Sequence, residues 1–246
     1  MKILKSTLAL ALLAAVVLSC GSNGKTVETS DAKAVKANAE ATAIPVTTTE
    51  SIVTWIGSKP AGKHNGTIGI TEGNVLVDGN KVVGGTFTID INSLTVVDLP
   101  ADSEWNAKLK GHLLNADFFD AANHPTATFE ITEVSPFAQA ELTADKAEFE
   151  SEFTPASLSE VMVENPTHFV SGNLTMRGTT KNITFPASVS IENGQVKAVA
   201  NFNIDRTDWK LMYGDEASVA DKAKDEFIYN TVNVGFELKA GTGAAL

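Results

Sequence analysis

The sequence is short of the groups that most enzymes and many disulfide-built folds rely on. It has one cysteine in 246 residues, Cys20, so no internal disulfide can form. No H-E-x-x-H string, no cysteine pair and no short histidine spacing marks a zinc site. No G-x-S-x-G string marks a nucleophile. Cations are outnumbered, with 19 Lys and Arg against 30 Asp and Glu and a formal charge of −11. That balance argues against nucleic acid and against electrostatic docking on anionic headgroups, and says little about an apolar ligand. Long apolar runs are also scarce. Leu8 to Leu18 is the one run of note, and it suits a secretory signal core better than a membrane span.

Lys2 and Lys5 give that run a short basic start. Val17-Leu18-Ser19-Cys20, followed by Gly21, resembles the lipobox of bacterial lipoproteins. The resemblance implies cleavage before Cys20 and a diacylglycerol on its thiol. Residues 1–19 then form the signal peptide. Two or three acyl chains, at about 0.8 kcal/mol per buried methylene, anchor a protein stably where one does not. Residues 20–48 are expected to be the lipidated N-terminus and a flexible tether. They lack aromatics and periodicity, and their reach would be roughly 30 Å. Residues 49–246 remain for one folded domain, long enough for a sizeable core.

From Ser51 onward the apolar pattern has period two. Phe87, Ile89 and Ile91 alternate with Thr86, Thr88 and Asp90, and Ala127, Phe129 and Ile131 alternate with Thr128, Glu130 and Thr132. The same scheme runs through Ile183, Phe185 and Ala187, through Ala200, Phe202 and Ile204, and through Val232, Val234 and Phe236. This predicts antiparallel strands with one buried face. Glu72-Gly73-Asn74, Asp78-Gly79-Asn80 and Glu192-Asn193-Gly194 read as hairpin turns. Pro186 demotes its spot to an edge or a bulge. One short helix is predicted over Ser103 to Asn115 and a second over Ala217 to Phe227, while the acidic stretch Gln139 to Asn165 reads as a long excursion. The fold class is all-β: a lipocalin-like antiparallel barrel of about eight strands with one or two short helices.

The run Gly111 to Thr132 collects His112, Asp117, Asp120, Asn123 and His124 among phenylalanines. Acid–base chemistry needs a histidine oriented by a carboxylate with a nucleophile in reach, and the spacing offers none. Turn formation explains the polar groups better: Asp117 can cap one turn, and Asp120 with Asn123 can close the next before Pro125 sets the chain extended. Phe118 and Phe119 are then left to plug or line one end of the barrel. Arg177 reads as a turn residue with its guanidinium outside.

Four strings occur in order: GGTFTIDINSLTV, KLKGHLLNADFFDAANHPTATFEIT, VSGNLTMRGTTKNITFPASV and FNIDRTDWKLMYG. They resemble the YceI-like family of lipid- and polyisoprenoid-binding proteins, and GKHNGTIGI matches that family's early strand at His64, Gly66 and Gly69. The likeness covers about Val53 to Lys239. It implies an extended lipocalin-like barrel whose apolar pore holds a long isoprenoid chain, such as a polyprenyl or quinone tail. The chain departs from the family form at Lys59-Pro60-Ala61 and in the longer Gln139 to Asn165 excursion, which could lid the pore.

The expectation is therefore a binding protein, not an enzyme, with no cofactor and no metal. Expected ligand-lining residues from the strands are Trp55, Phe87, Ile89, Ile91, Phe129 and Ile131, then Leu174, Met176, Phe185, Phe202 and Ile204. Phe118, Phe119 and Trp209 join them from the connections, with His64 and Arg206 as headgroup contacts. Expected partners are a long-chain isoprenoid or other lipid and, through Cys20, the periplasmic face of a bacterial envelope membrane. Family members can pair, which leaves a homodimer open. The rivals are a packed, partner-binding lipoprotein and an enzyme acting on a lipid.

Overall fold

Alternation of apolar and polar residues decides the backbone here, because each strand can bury one face only by sharing its edges with neighbours. In the computed structural model, residues 26–36, 38–138, 148–218 and 227–241 are described. The strands are β1 (Thr29–Ser30), β2 (Thr42–Pro45), β3 (Ile52–Lys59), β4 (Gly62–Asp78) and β5 (Lys81–Val96). Helix α1 (Glu104–Leu114), β6 (Thr126–Pro136) and the one-turn helix α2 (Leu158–Val161) follow. The chain closes with β7 (His168–Met176), β8 (Thr179–Glu192), β9 (Gln195–Asp205) and β10 (Thr231–Ala240).

Strands β3 to β10 pair with their sequence neighbours, all antiparallel, and β10 returns to β3, so eight strands close a ring. Closure gives every ring strand a neighbour on each side. The alternating apolar faces turn inward, as at Ile91, Ile131, Phe185 and Phe202. Two of the three predicted hairpin turns stand. Asn193 and Gly194 both have positive φ, 51° and 76°, the backbone of a tight turn matched to strand twist. Gly79, at φ 58°, turns β4 into β5. Glu72-Gly73-Asn74 is not a turn. It lies inside β4, beside a register shift between Ile70 and Glu72. Gly73 is needed there for close approach: its carbonyl accepts from the Val46 amide at 3.0 Å, and a Cβ would stand 3.0 Å from Val46 Cγ2. The same residue types make a bulge or a turn, and only the crossing segment decides which.

The segment expected as a tether joins the barrel instead, through β1, β2 and scattered hydrogen bonds, while residues 30–36 and 38–40 stay exposed. β1 pairs β8 at Ile183 and Asn182, just before β8 begins its ladder with β9 at Ala187. β2 pairs β4 from Asn74 to Val77, beyond the stretch that β3 covers. The N-terminal segment therefore covers two of the places where ring strands splay apart. Val27 is buried, and the Lys33 backbone and the Asn173 side chain bond each other reciprocally at 3.0 and 2.7 Å. The physical reason is edge satisfaction: unpaired strand edges need partners, and a segment without aromatics can supply backbone. Pro186 falls where β8 changes partner, which agrees with its reading as an edge position.

Helix α1 matches its prediction to within a residue at each end. Ser103 caps it by accepting from the Asn106 amide, and the Asn115 amide bonds back to the His112 carbonyl. The excursion after β6 contains α2, held by a capping box between Ser157 and Glu160. Its residues 139–147 lie outside the described residues, as do residues 1–19, expected as the signal peptide, Cys20 and most of the second predicted helix.

Close packing inside the ring makes a test. A Cβ on Gly172 of β7 would sit 2.2 Å from Phe129 Cζ and 2.8 Å from the Glu130 carbonyl, whereas one on Gly57 of β3 meets nothing within 4 Å. Gly172→Ala is expected to cost about 2–3 kcal/mol in urea unfolding, and Gly57→Ala to stay within about 0.5 kcal/mol of the parent. Equal effects would contradict this packing.

Candidate functional site in the barrel interior

Inward side chains do not fill the barrel. Two adjoining cavities remain, about 310 Å³ at the end closed by α1 and about 110 Å³ towards the β4–β5 and β8–β9 turns. Val53, Ile89, Leu174, Ile204 and Val234 border both and form the waist between them. The smaller cavity has an all-apolar wall, built around linked phenylalanines. Phe185 stacks on Phe202 with centroids 4.1 Å apart and planes 3° from parallel. Phe129 and Phe236 lie 5.7 Å from the same ring, and Phe87 lies 6.4 Å from Phe129. These rings take up most of that half of the barrel, which is why its cavity is small.

The larger chamber takes its floor from Ile91, Leu94, Ala127 and Met176 and its cap from α1. Leu109, His112 and Leu113 are spaced i, i+3 and i+4 on that helix and face the chamber together. Phe118 and Phe119 join them from the corner that follows. That corner is built by backbone and by Asn115, whose side chain accepts from the Asp117 amide, rather than by Asp117. The Asn123 amide donates to both Asp120 carboxylate oxygens, so Asp120 bonds a side chain there, and its own carbonyl takes the Asn123 and His124 amides. The His112 ring stands edge-on to Tyr213 at 4.4 Å.

All expected lining residues except one reach a cavity wall. Phe87, Phe129, Ile131, Phe185 and Phe202 line the smaller cavity; Trp55, Ile91, Phe118, Phe119 and Met176 line the larger; Ile89, Leu174 and Ile204 line both. The exception is Trp209, which is 0% exposed and borders neither. Its indole N–H donates to the Leu174 carbonyl at 3.0 Å, so it packs behind the wall and fixes β7. Its polar handle, which needs a partner when buried, is the reason. Trp55 lies across Gly66, where a Cβ would approach its Cζ2 to 2.7 Å.

The two expected headgroup contacts differ. His64 sits on the chamber rim, 40% exposed, with Nδ1 2.7 Å from Asp98 Oδ2. Partial burial pushes the Asp98 carboxyl up, but the Asn65 amide and the His64 ring together outweigh it and hold the group below the usual carboxylate range. Arg206 borders the same chamber but is 1% exposed. Its guanidinium donates to the Tyr229 carbonyl at 3.2 Å, the Ile228 carbonyl at 3.0 Å and the Leu211 carbonyl. It also lies 5.6 Å from the Phe118 ring. Burial pushes its pKa down, against the pull of Asp205, Asp215 and Glu216. Arg206 thus works mainly as a clamp, holding Leu211 and Ile228 at the chamber wall. Arg177 does the same outside, donating to the Lys210 and Ala116 carbonyls at 2.6 and 2.7 Å.

Sequence reasoning missed Leu211 and Ile228, for which the pattern carries no signal, and Leu109 and Leu113, whose helical spacing was there to read. Among the described residues no group of three or more His, Cys, Asp or Glu could hold a metal ion.

A closed antiparallel barrel with an apolar, partly open interior belongs to the class of barrels that can enclose a small ligand. The chain belongs to the YceI-like domain family, which it matches over residues 45–240. It is similar to BcnA of Burkholderia cenocepacia, at 17% identity and TM-score 0.54, covering 79% of this chain and 99% of that one. It is also similar to a polyisoprenoid-binding domain from Saccharophagus degradans implicated in plant cell wall breakdown, at 16% identity and TM-score 0.52, covering 81% and 98%. Both likenesses extend to the fold alone. No curated protein matches the chain.

The rim pair makes a pH test. The lowered Asp98 pKa stabilises the fold fully above the unfolded carboxyl value of about 3.9, and the gain disappears as pH falls through the lower native value. Asp98→Asn is expected to lower Tm at pH 6 and to converge with the parent once the pH falls below the lowered native pKa of Asp98. A Tm gap that stays constant with pH would show that the Asp98 charge does not matter.

Proposed function

We propose that this protein is an extracytoplasmic, lipid-anchored binding protein that holds a long apolar ligand inside its barrel, of the polyisoprenoid or isoprenoid-quinone class. The observation that carries the binding reading is the apolar wall shared by two adjoining cavities, with its polar side chains gathered at the α1 end. A chain that buries about 400 Å² there gains on the order of 10 kcal/mol before association costs, with no charged contact needed. The ligand class is supported by membership of the YceI-like family and by the S. degradans domain that shares the fold. The anchor and the envelope location are supported by the apolar run Leu8 to Leu18 and by the Val17 to Gly21 string around Cys20.

The full chain is purified from bacterial membranes, extracted with organic solvent, and the extract weighed by mass spectrometry. About one long-chain isoprenoid or other lipid per protein is expected. A folded chain that is empty and refuses added polyprenol would overturn the binding reading in favour of a packed, partner-binding barrel. Leu109→Trp fills the chamber from the half-buried helix without disturbing the ring. It is expected to cut the recovered lipid severalfold at nearly unchanged Tm. Undiminished lipid in that variant would place the ligand elsewhere. Cys20→Ala is expected to abolish the diacylglyceryl mass on the N-terminal peptide; a parent peptide without that mass would remove the anchor.

A further inference from the structure

The exposed large apolar side chains of this protein are not spread evenly. Trp105 is 71% exposed, Val97 57%, and Met212 and Tyr213 each 48%. All four border α1. Trp105 lies in its first turn, and Val97 follows β5 beside that turn, where the Asn106 side chain bonds the Val96 and Leu99 carbonyls. Tyr213 stands on His112, which is seven residues after Trp105 and on the same helix face. The Lys108 ammonium sits 5.0 Å over the Trp105 ring. The three other exposed large apolar residues among the described residues, Val35, Ile56 and Val199, lie in the N-terminal segment, β3 and β9.

We propose that the α1 end of the barrel is a docking surface for a phospholipid bilayer, with Trp105, Val97, Met212 and Tyr213 seated at the boundary between headgroups and acyl chains. The proposal does not depend on what the cavity holds, but its choice of occupant rests on the lipid anchor proposed at Cys20. Trp and Tyr favour that boundary because one end of each side chain is apolar and the other is polar, and a lysine can reach past them to the headgroups. Where the N-terminal chain leaves the barrel identifies the occupant. The Val27 amide donates to the Asn203 carbonyl at 2.8 Å, and Thr29 donates to Asp208 at 2.9 Å. That places the start of the described chain beside the Arg206–Trp209 turn, which leads into Met212 and Tyr213. The apolar run Leu8 to Leu18 and Cys20 lie just upstream. From Cys20 to Val27 the chain can span at most about 24 Å. Membrane attachment through that segment therefore keeps the α1 end, and not the β4–β5 turn, close to the bilayer. Charge favours a zwitterionic surface over an anionic one. Lys59, Lys63, Lys108 and Lys210 at this end are offset by Asp98, Asp102, Glu104 and Asp208, in a chain of charge −11.

The test uses the full chain reconstituted in phosphatidylcholine vesicles, with and without bromine on the acyl chains, and reads tryptophan fluorescence. Bromine is expected to quench the emission, and Trp105→Ser to remove at least half of that quench. Trp105 is exposed, so the substitution spares the core; any quench that remains belongs to Trp55 in the chamber wall or to Trp209 buried behind it. Quenching that is equal in parent and variant would overturn the proposal. So would a bromine-insensitive Trp105 covered by a second copy, seen as a dimer in sedimentation. Ligand extracted from the same samples keeps the two readings apart. An empty chain whose Trp105 is still quenched would overturn the binding reading alone, and a loaded chain without that quench would overturn docking alone.

Discussion

The structure depends on β10 lying between β3 and β9. That strand joins the last strand of the ring to the first through ten paired positions on one side and six on the other. With the ring closed, apolar side chains on eight strands face one interior, and no strand can turn its other face inward without breaking two ladders. The cavity is a consequence of that closure. Five phenylalanines occupy one half of the interior, and the other half, capped by α1 and the corner after it, keeps the larger chamber.

Closure also explains the polar residues. Ring strands that bend must splay at some points, and the N-terminal segment covers two of them. Beneath it lie Asn173 and Asn182, bonded to each other at 3.1 Å and, from Asn173, to the Lys33 backbone. Arg206 has the corresponding task at the α1 end, where its three carbonyl bonds draw the residues after β9 and before β10 into the chamber wall. Arg206, expected as a headgroup contact at the pore mouth, is buried with its guanidinium committed to three backbone carbonyls. His64, half-exposed and bonded to Asp98, keeps a position at the rim from which a polar group could be met.

The division of labour within the barrel follows from these placements. The ring supplies rigidity and an apolar solvent, and α1 with its flanking loop supplies the surface that faces outward at the open end. Trp209 holds β7 from behind the wall, so that a residue with no cavity contact still sets the position of Leu174 at the waist.

The sequence by itself determined the antiparallel strands, the inward set from Phe87 to Phe236, the ends of α1 and the turn at Asn193-Gly194, because period two, capping and positive-φ residues are local properties. The same local rule misassigned Glu72-Gly73-Asn74 and took residues 26–48 for free chain. In both cases the deciding contact is between segments far apart in sequence: Val46 crossing Gly73, and β1 and β2 filling ring edges. Which inward residues line space and which fill it was also beyond local pattern. Trp209 and Phe202 read alike in the strand and turn pattern, yet one is sealed behind the wall and the other faces the cavity. Whether an apolar barrel is open depends on the sum of side-chain volumes against the circumference that strand pairing imposes, and only the tertiary structure brings those two quantities together.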